Sequence, residues 1–162
     1  MINQETYGKY LIFEVDQAYA LEIDKIIEIV ELSAVTPVPE TPDYIAGVIN
    51  LRGQVVPLID IRCRFKCSSG DLENKRRCVV IVDFEGAHIG LMVDNVLELA
   101  DIPDENISPP PQVGNDYVHV FVKAIGVVDS KMMLIIDPER IVNFSDLDFL
   151  KNNSEGESNE KS

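Results

Sequence analysis

Cysteine and histidine, the residues that most often bind metals or act as nucleophiles, are few in this chain and poorly spaced for a shared site. The cysteines are Cys63, Cys67 and Cys78, and the histidines are His88 and His119. Cys63 and Cys67 have the separation of half a metal site, but no second ligand pair of the usual spacing exists. An odd number of cysteines does not indicate a disulfide framework either. We therefore predict reduced thiols, no metal and no cofactor, with a metal site as the alternative.

Paired carboxylates are the next candidates, because an acid and a base held together can catalyse hydrolysis. Asp83 with Glu85 and Asp101 with Asp104 are two such pairs. Both lie at the ends of predicted strands or in loops, where a solvated turn also explains them. The sequence has no glycine-rich phosphate loop and no recognisable nucleophile with its base. We predict that the protein is not an enzyme; a small β-barrel enzyme that uses these loop carboxylates is the alternative.

The charge of the chain also limits the partners it can bind. Its 14 basic and 28 acidic residues give a net charge of −14, which disfavours nucleic acid and anionic membrane surfaces. Six of the basic residues are concentrated in one segment: Arg62, Arg64, Lys66, Lys75, Arg76 and Arg77. This basic segment is either a solvated loop or a local positive face for an acidic partner protein.

Two other charged residues interrupt apolar surroundings. Arg52 lies at the tip of a predicted hairpin, "GVINLRGQVVPLIDI", and Glu28 lies inside the apolar run "IIEIV". A tight turn explains Asn50 and Gly53, whereas no turn geometry requires an arginine. Two interpretations are open. Glu28 and Arg52 form a bidentate ion pair at a protein-binding surface, or they are unrelated solvated charges.

The elements that must position these residues are short strands rich in valine and isoleucine, the pattern of an all-β fold. They are predicted at residues 10–15, 19–23, 26–32, 47–50, 55–59, 78–84, 88–93, 96–99, 118–128 and 132–136. Pro57 cannot donate a ladder hydrogen bond, so its strand needs a free side or a bulge there. Short helices are predicted after Asp60 and after Asp137, where Pro138 fits the first helical position.

The strands fall into two similar sets, which indicates an internal repeat of roughly 70–80 residues. The segment "LIFEVDQAYALEIDKIIEI" matches "VIVDFEGAHIGLMVDNVLEL", which aligns Ala20 with Gly90 and Asp24 with Asp94. A proline-bearing loop follows each segment. Five short strands in each copy predict two small barrels, because closure removes exposed sheet edges.

The remainder of the repeat matches "GVINLRGQVVPLIDI" with "GVVDSKMMLIIDPERI", which aligns Gly47 with Gly126. Residues 1–150 are expected to form the folded body, and the polar residues 151–162 a disordered tail. The first ten residues have neither the basic nor the apolar region of a secretory signal, so an intracellular protein is expected.

These motifs together resemble the CheW family of bacterial chemotaxis coupling proteins. The likeness is carried by "GVINLRGQVVPLIDI" with "TPVPETPDYIAG" and "IDKIIEIVE" before it, and by "CVVIVDFEGAHIGLMVDNVLEL" and "LIIDPERI" after it. It covers about residues 8–145. The resemblance implies two intertwined five-stranded SH3-like β-barrels with short helices, a CheW-like domain with a hydrophobic groove between its halves.

The resemblance also implies a non-catalytic adaptor that bridges methyl-accepting chemoreceptors to the regulatory domain of the histidine kinase CheA. Such an adaptor is cytoplasmic and is recruited to membrane receptor arrays. The receptor-binding residues implied by the family are Ile26, Glu28, Gly47, Arg52 and Gly53 in the first copy and Val79, Gly90 and Leu99 in the second. Other members have a different β-branched residue at Ile26. The kinase-binding face is left unassigned.

Overall fold

The structure is a computed structural model that describes residues 8–66, 77–110 and 120–142. Within these ranges the strands are β1 Lys9–Val15, β2 Gln17–Glu22, β3 Ile26–Glu31, β4 Ile45–Leu51, β5 Gln54–Asp60, β6 Cys78–Phe84, β7 Ala87–Val93, β8 Asn95–Asp101, β9 Ile107–Ser108, β10 Val122–Val128 and β11 Lys131–Ile136. Helices α1 Ile61–Arg64 and α2 Pro138–Ile141 are short, and single 3₁₀ turns occupy Ile23–Lys25 and Asp104–Asn106. The predicted tail, Cys67, His119 and two residues of the basic segment, Lys75 and Arg76, lie outside the described residues.

The strands form two sheets, and each sheet contains strands from both copies of the repeat. The order is β8-β1-β2-β11-β10-β9 in the first sheet and β3-β6-β7-β5-β4 in the second. Strand β3 of the first copy pairs with β6 of the second copy, and β8 of the second copy pairs with β1 of the first. The prediction of an all-β fold with two intertwined halves and short helices is confirmed. The first sheet contains one strand more than the five expected, the two-residue β9.

The strand register confirms the first part of the predicted repeat. Leu58 pairs with Gly90 in the parallel β5–β7 contact, and Ile135 pairs with Ala20 in the parallel β11–β2 contact. Ala20 and Gly90 therefore occupy corresponding places. The edge strands agree, because β3 and β8 both contain a bulge one residue after their corresponding positions Ile26 and Val96.

The predicted alignment of Gly47 with Gly126 is wrong. Both terminal hairpins have two-residue turns and end at the helix caps Asp60 and Asp137. Counting back from these caps aligns Gly47 with Ala124. The Gly-Val dipeptides look alike in sequence, but hairpin register follows turn length, and the match was displaced by two residues.

The predictions for Pro57 and for the helix starts are confirmed. Pro57 lies opposite Val48, whose N–H and C=O bond to Thr36 on the other side, so the missing proline N–H costs no bond between β4 and β5. On its other side β5 pairs with β7 only from Leu58 onwards, which leaves Pro57 the predicted free side. The Asp60 carboxylate accepts a hydrogen bond from the Cys63 N–H, and Asp137 caps α2 with Pro138 in the first turn.

A chain of aromatic side chains joins the two sheets across the main core. The ring centroids of Phe13 and Tyr19 lie 5.7 Å apart, those of Tyr19 and Phe65 5.2 Å, and those of Phe65 and Phe121 5.0 Å. Such aromatic pairs contribute about 0.5–1.5 kcal/mol each beyond the area they bury. Because Phe65 follows α1, this short helix connects the second sheet to strands of the first.

The arginines described in the basic segment are not solvated, so the prediction of a solvated loop is wrong for them. Arg62 is 4% exposed and pairs with Asp94, which is itself buried. Arg64 lies over the ring of Tyr44 and donates to the Ile141 carbonyl. Neither of these guanidinium groups is free to present a positive face to a partner.

Candidate partner-binding surface

The β4–β5 hairpin closes with a two-residue turn, Arg52-Gly53, between the paired residues Leu51 and Gln54. The φ angles of Arg52 and Gly53 are +53° and +85°, as the turn type that matches strand twist requires. The Asn50 side chain accepts a hydrogen bond from the Gly53 N–H at 2.8 Å. Glycine adopts this conformation freely, whereas an arginine there is uncommon and carries backbone strain.

Arg52 is held by Glu28 through two parallel hydrogen bonds. Its Nη1 donates to Oε2 and its Nη2 to Oε1, each at 2.6 Å. The arginine side chain is still 72% exposed, while that of Glu28 is 24% exposed. The hydrogen bond from Arg52 lowers the pKa of Glu28, and the same bond raises the pKa of Arg52. The interpretation of two unrelated solvated charges is therefore wrong.

The Glu28–Arg52 ion pair connects the two opposite edges of the second sheet. Glu28 lies on the edge strand β3, and Arg52 closes the hairpin that contains the other edge strand, β4. The sheet must curl strongly for these two side chains to meet. We call Glu28, Arg52 and Gly53 the first tip. Beside it, β3 exposes Ile27 and Ile29 at 43% and 42%, while the predicted site residue Ile26 is half-buried against the main core.

Gly47 is a buried position that supports the hairpin and does not face solvent. It has a φ of +143°, and a Cβ there would come within 2.3 Å of the Thr36 carbonyl oxygen. Thr36 bridges to Val48 beside it. The absence of a side chain at Gly47 therefore lets the preceding loop pair with the edge of β4.

The predicted residues of the second copy are divided between two places. Val79 and Gly90 are buried side by side, since a Cβ on Gly90 would lie 2.7 Å from Val79 Cγ1 and 2.5 Å from Leu58 Cδ2. They can affect a partner only through the shape of the second sheet. Leu99 is 64% exposed, but it lies on β8 in the first sheet. The structure thus joins Glu28, Arg52 and Gly53 and leaves Leu99 on a different sheet.

The carboxylate pair Asp83 and Glu85 lines an open cavity of about 700 Å³ between the β6–β7 turn and α2. Asp83 accepts a hydrogen bond from the Gly86 N–H, which is a turn-stabilising contact. At the same cavity Lys25 donates to Glu139 at 2.7 Å. Among the residues that the structure describes, no three metal-ligating side chains cluster.

Sequence reasoning missed the buried ion pairs of Arg62. Its Nε and Nη2 both donate to Asp94, and Nη2 also lies 2.6 Å from Asp16. The hydrogen bond that Arg62 donates to the Asp94 carboxylate raises the pKa of Arg62. The cluster joins α1, the β1–β2 turn and the connection from β7 to β8. The signal for it was Asp94, which ends an apolar strand and recurs as Asp24 in the first copy.

Comparison with known proteins agrees with this architecture. Residues 9–145 match the family model of the CheW-like domain. The chemotaxis protein CheW of Klebsiella aerogenes is 30% identical over 150 residues, which cover 91% of this chain and 90% of that protein. CheW of Helicobacter pylori is 34% identical over 127 residues, covering 78% and 76% of the two chains.

Among solved structures, the scaffolding protein TtCheW from Thermoanaerobacter tengcongensis matches with a TM-score of 0.73 at 36% identity. The match covers 80% of this chain and 88% of that one. In the described residues no helix is long and apolar enough to cross a membrane. The matches to the CheW-like domain and to the CheW proteins show that the chain belongs to the CheW-like family of non-catalytic chemotaxis scaffold and coupling proteins.

Proposed function

We propose that this protein couples methyl-accepting chemoreceptors to the histidine kinase CheA, and that the receptor docks on the first tip. Family membership supports the coupling role, which would place the protein in the cytoplasm at membrane receptor arrays. The observation that carries the docking site is the exposed Arg52, held by Glu28 in two hydrogen bonds.

Arg52 has the properties of an interface anchor. Arginine is among the residues that most often dominate binding energy at protein interfaces. Its guanidinium has five N–H donors, and Glu28 occupies two of them. The others have no partner among the described residues and can bond receptor carboxylates or carbonyls. Because Glu28 already fixes the side chain, docking costs little additional conformational entropy.

The other residues implied by the family would act indirectly or at a second contact. Gly47 and Gly53 permit the hairpin geometry that presents Arg52. Val79 and Gly90 would set the packing beneath it, and Ile26 the position of β3. Leu99 would meet the receptor through the first sheet, as a separate apolar contact.

Reciprocal charge substitutions test this proposal. Arg52→Glu and Glu28→Arg should each weaken binding to a receptor cytoplasmic fragment about tenfold or more, a loss typical of an interface anchor. The double variant should rebuild the ion pair without recovering affinity, because the arginine would then be on the wrong strand. Titration calorimetry measures the affinities, and circular dichroism checks the fold.

The matched control is Glu139→Gln, which breaks the exposed Lys25–Glu139 pair elsewhere on the surface and should leave receptor affinity unchanged. Unchanged affinity in both single variants would refute the docking site. Recovery in the double variant would show that the pair supports only the fold.

A further inference from the structure

The open cavity beside α2 lies where the first copy of the repeat buries Arg62. The Arg62 ion pairs join α1, the β1–β2 turn and the connection from β7 to β8. The cavity is lined by residues of the corresponding elements, which are α2, the β6–β7 turn and the connection from β2 to β3. The strand orders of the two sheets show the same correspondence. One structural position therefore occurs twice in the molecule, filled in the first copy and open in the second.

The two positions differ in their charges. Arg62 is 4% exposed and pairs with both Asp94 and Asp16. Counting from the helix caps, Glu139 corresponds to Arg62. The bulged edge strands correspond likewise, so that Asp24 has the place of Asp94. The cavity thus keeps the acceptor for a guanidinium and has a carboxylate where the first copy has the guanidinium itself.

The described residues that line the cavity include four carboxylates and one ammonium group, namely Asp24, Asp83, Glu85, Glu139 and Lys25. Lys25 donates to Glu139 at 2.7 Å and so neutralises one of the four. Asp24 and Glu85 are exposed and have no hydrogen-bond partner among the described residues. The cavity therefore offers acceptors from two elements that are open to a cation from outside.

The shape and lining of the cavity favour an organic cation over a metal ion. Within the described ranges no three metal-ligating side chains come together, so the carboxylates lie too far apart to share one small ion. Phe84 also lines the cavity, and its ring centroid is 5.9 Å from Lys25 Nζ, a position in which an aromatic face attracts a cation. The volume of about 700 Å³ lies within the range of roughly 300–1,000 Å³ that is usual for small-molecule sites.

We propose that this cavity binds a small alkylguanidinium compound, whose guanidinium takes the role that Arg62 has in the first copy. A guanidinium presents several N–H donors in a planar fork, so it can bond carboxylates from different elements, as Arg62 does with Asp94 and Asp16. An alkylammonium is a compact and strongly hydrated charge and fits this role less well. The alkyl stem can pack on Phe84.

Two probes with the same stem and different head groups test the inference on the full-length protein. Titration with butylguanidine, followed by carbon-detected NMR, should give saturable shifts at the carboxylates of Asp24, Glu85 and Glu139. Butylamine should bind several-fold more weakly. The affinity for butylguanidine should fall as the salt concentration rises, because the carboxylates are exposed.

Three variants locate the binding. Glu139→Arg places a guanidinium on α2 at the position of Arg62 and should abolish binding of butylguanidine. Asp24→Asn removes one charged acceptor and should weaken the binding about fivefold. Asp101→Asn is the matched control, since it makes the same change at an exposed carboxylate of β8, and should leave the affinity unchanged.

Thermal unfolding checks that the variants are folded. The inference is overturned if butylguanidine gives no saturable shifts, if Glu139→Arg and Asp24→Asn bind it as tightly as the parent protein, or if butylamine binds equally well. The titration uses neither receptor nor kinase, so its failure leaves the proposed function standing.

Discussion

The β4–β5 and β10–β11 hairpins have the same turn geometry but opposite chemistry at their tips. In the first tip, Arg52 and Glu28 neutralise each other and fix one exposed guanidinium. In the β10–β11 hairpin the turn is Asp129-Ser130, and counting from the helix caps Asp129 corresponds to Arg52. Glu98 on β8 corresponds to Glu28, and both Asp129 and Glu98 are acidic and exposed. The turn length, the positive φ angles and the bulged edge strand are common to both copies. The common features explain the shared backbone, and Arg52 is the difference on which the proposed receptor docking depends.

A second difference between the copies concerns stability. Arg62 on α1 and Glu139 on α2 occupy corresponding helix positions. Arg62 is buried against Asp94, whereas Glu139 pairs with Lys25 in solvent. Buried ion pairs are strongly destabilised when one partner is lost, and exposed pairs contribute little. The first helix should therefore hold the two sheets together far more strongly than the second.

The largest effect is expected from Arg62→Met. It leaves the buried Asp94 carboxylate without its main partner and should lower the free energy of unfolding by about 3–5 kcal/mol. Glu139→Gln, the corresponding change on α2, should have almost no effect. Urea unfolding monitored by circular dichroism measures both. Equal losses in the two variants would contradict the distinction between the helices.

A smaller effect is expected at the next pair of corresponding positions, Gly47 and Ala124. Gly47→Ala adds a Cβ that collides with the Thr36 carbonyl, and strain at such a φ costs about 1–3 kcal/mol. Ala124→Gly should cost about 0.5–1 kcal/mol through chain entropy, together with a small loss from its half-buried methyl group. Thermal unfolding gives the order of the two. If Ala124→Gly proves the more damaging, the assigned register is wrong.

The smallest effect concerns the titration of Glu28. Its pKa lies below the ordinary 4.5 because Arg52 donates to its carboxylate. The pair therefore stabilises the fold above about pH 4.5, and that contribution is lost as the pH falls through the lowered pKa. Carbon-detected NMR should show the Glu28 midpoint rising towards 4.5 in Arg52→Ala. An unchanged midpoint would mean that the pair is absent in solution.

Much of this structure could be predicted from the sequence because its determinants are local. Strand alternation, the caps at Asp60 and Asp137 and the ladder gap at Pro57 depend on neighbouring residues. The least accurate strand prediction is the one for β10, which was expected to begin at residue 118 and begins at Val122. Family membership also agrees with the prediction that the protein is not an enzyme. Asp83, one of the candidate catalytic carboxylates, accepts a hydrogen bond from the Gly86 N–H and so stabilises the β6–β7 turn.

The remainder depended on contacts between distant segments. The burial of Arg62 follows from Asp16 and Asp94, which only the interleaved sheets bring together. The ion pair of Glu28 with Arg52 depends on the curl of the second sheet, so spacing alone left it open. Gly47 and Gly126 are matched by residue identity, whereas the equal turn lengths of the two hairpins align Gly47 with Ala124.

The most direct test of receptor docking at the first tip is an NMR titration of the isotope-labelled protein with a receptor cytoplasmic fragment. Receptor docking at this tip should place the largest shifts on the backbone of Arg52 and Gly53, on the Arg52 guanidinium and on the Glu28 carboxylate. Saturable binding that leaves all of these signals unchanged would contradict it.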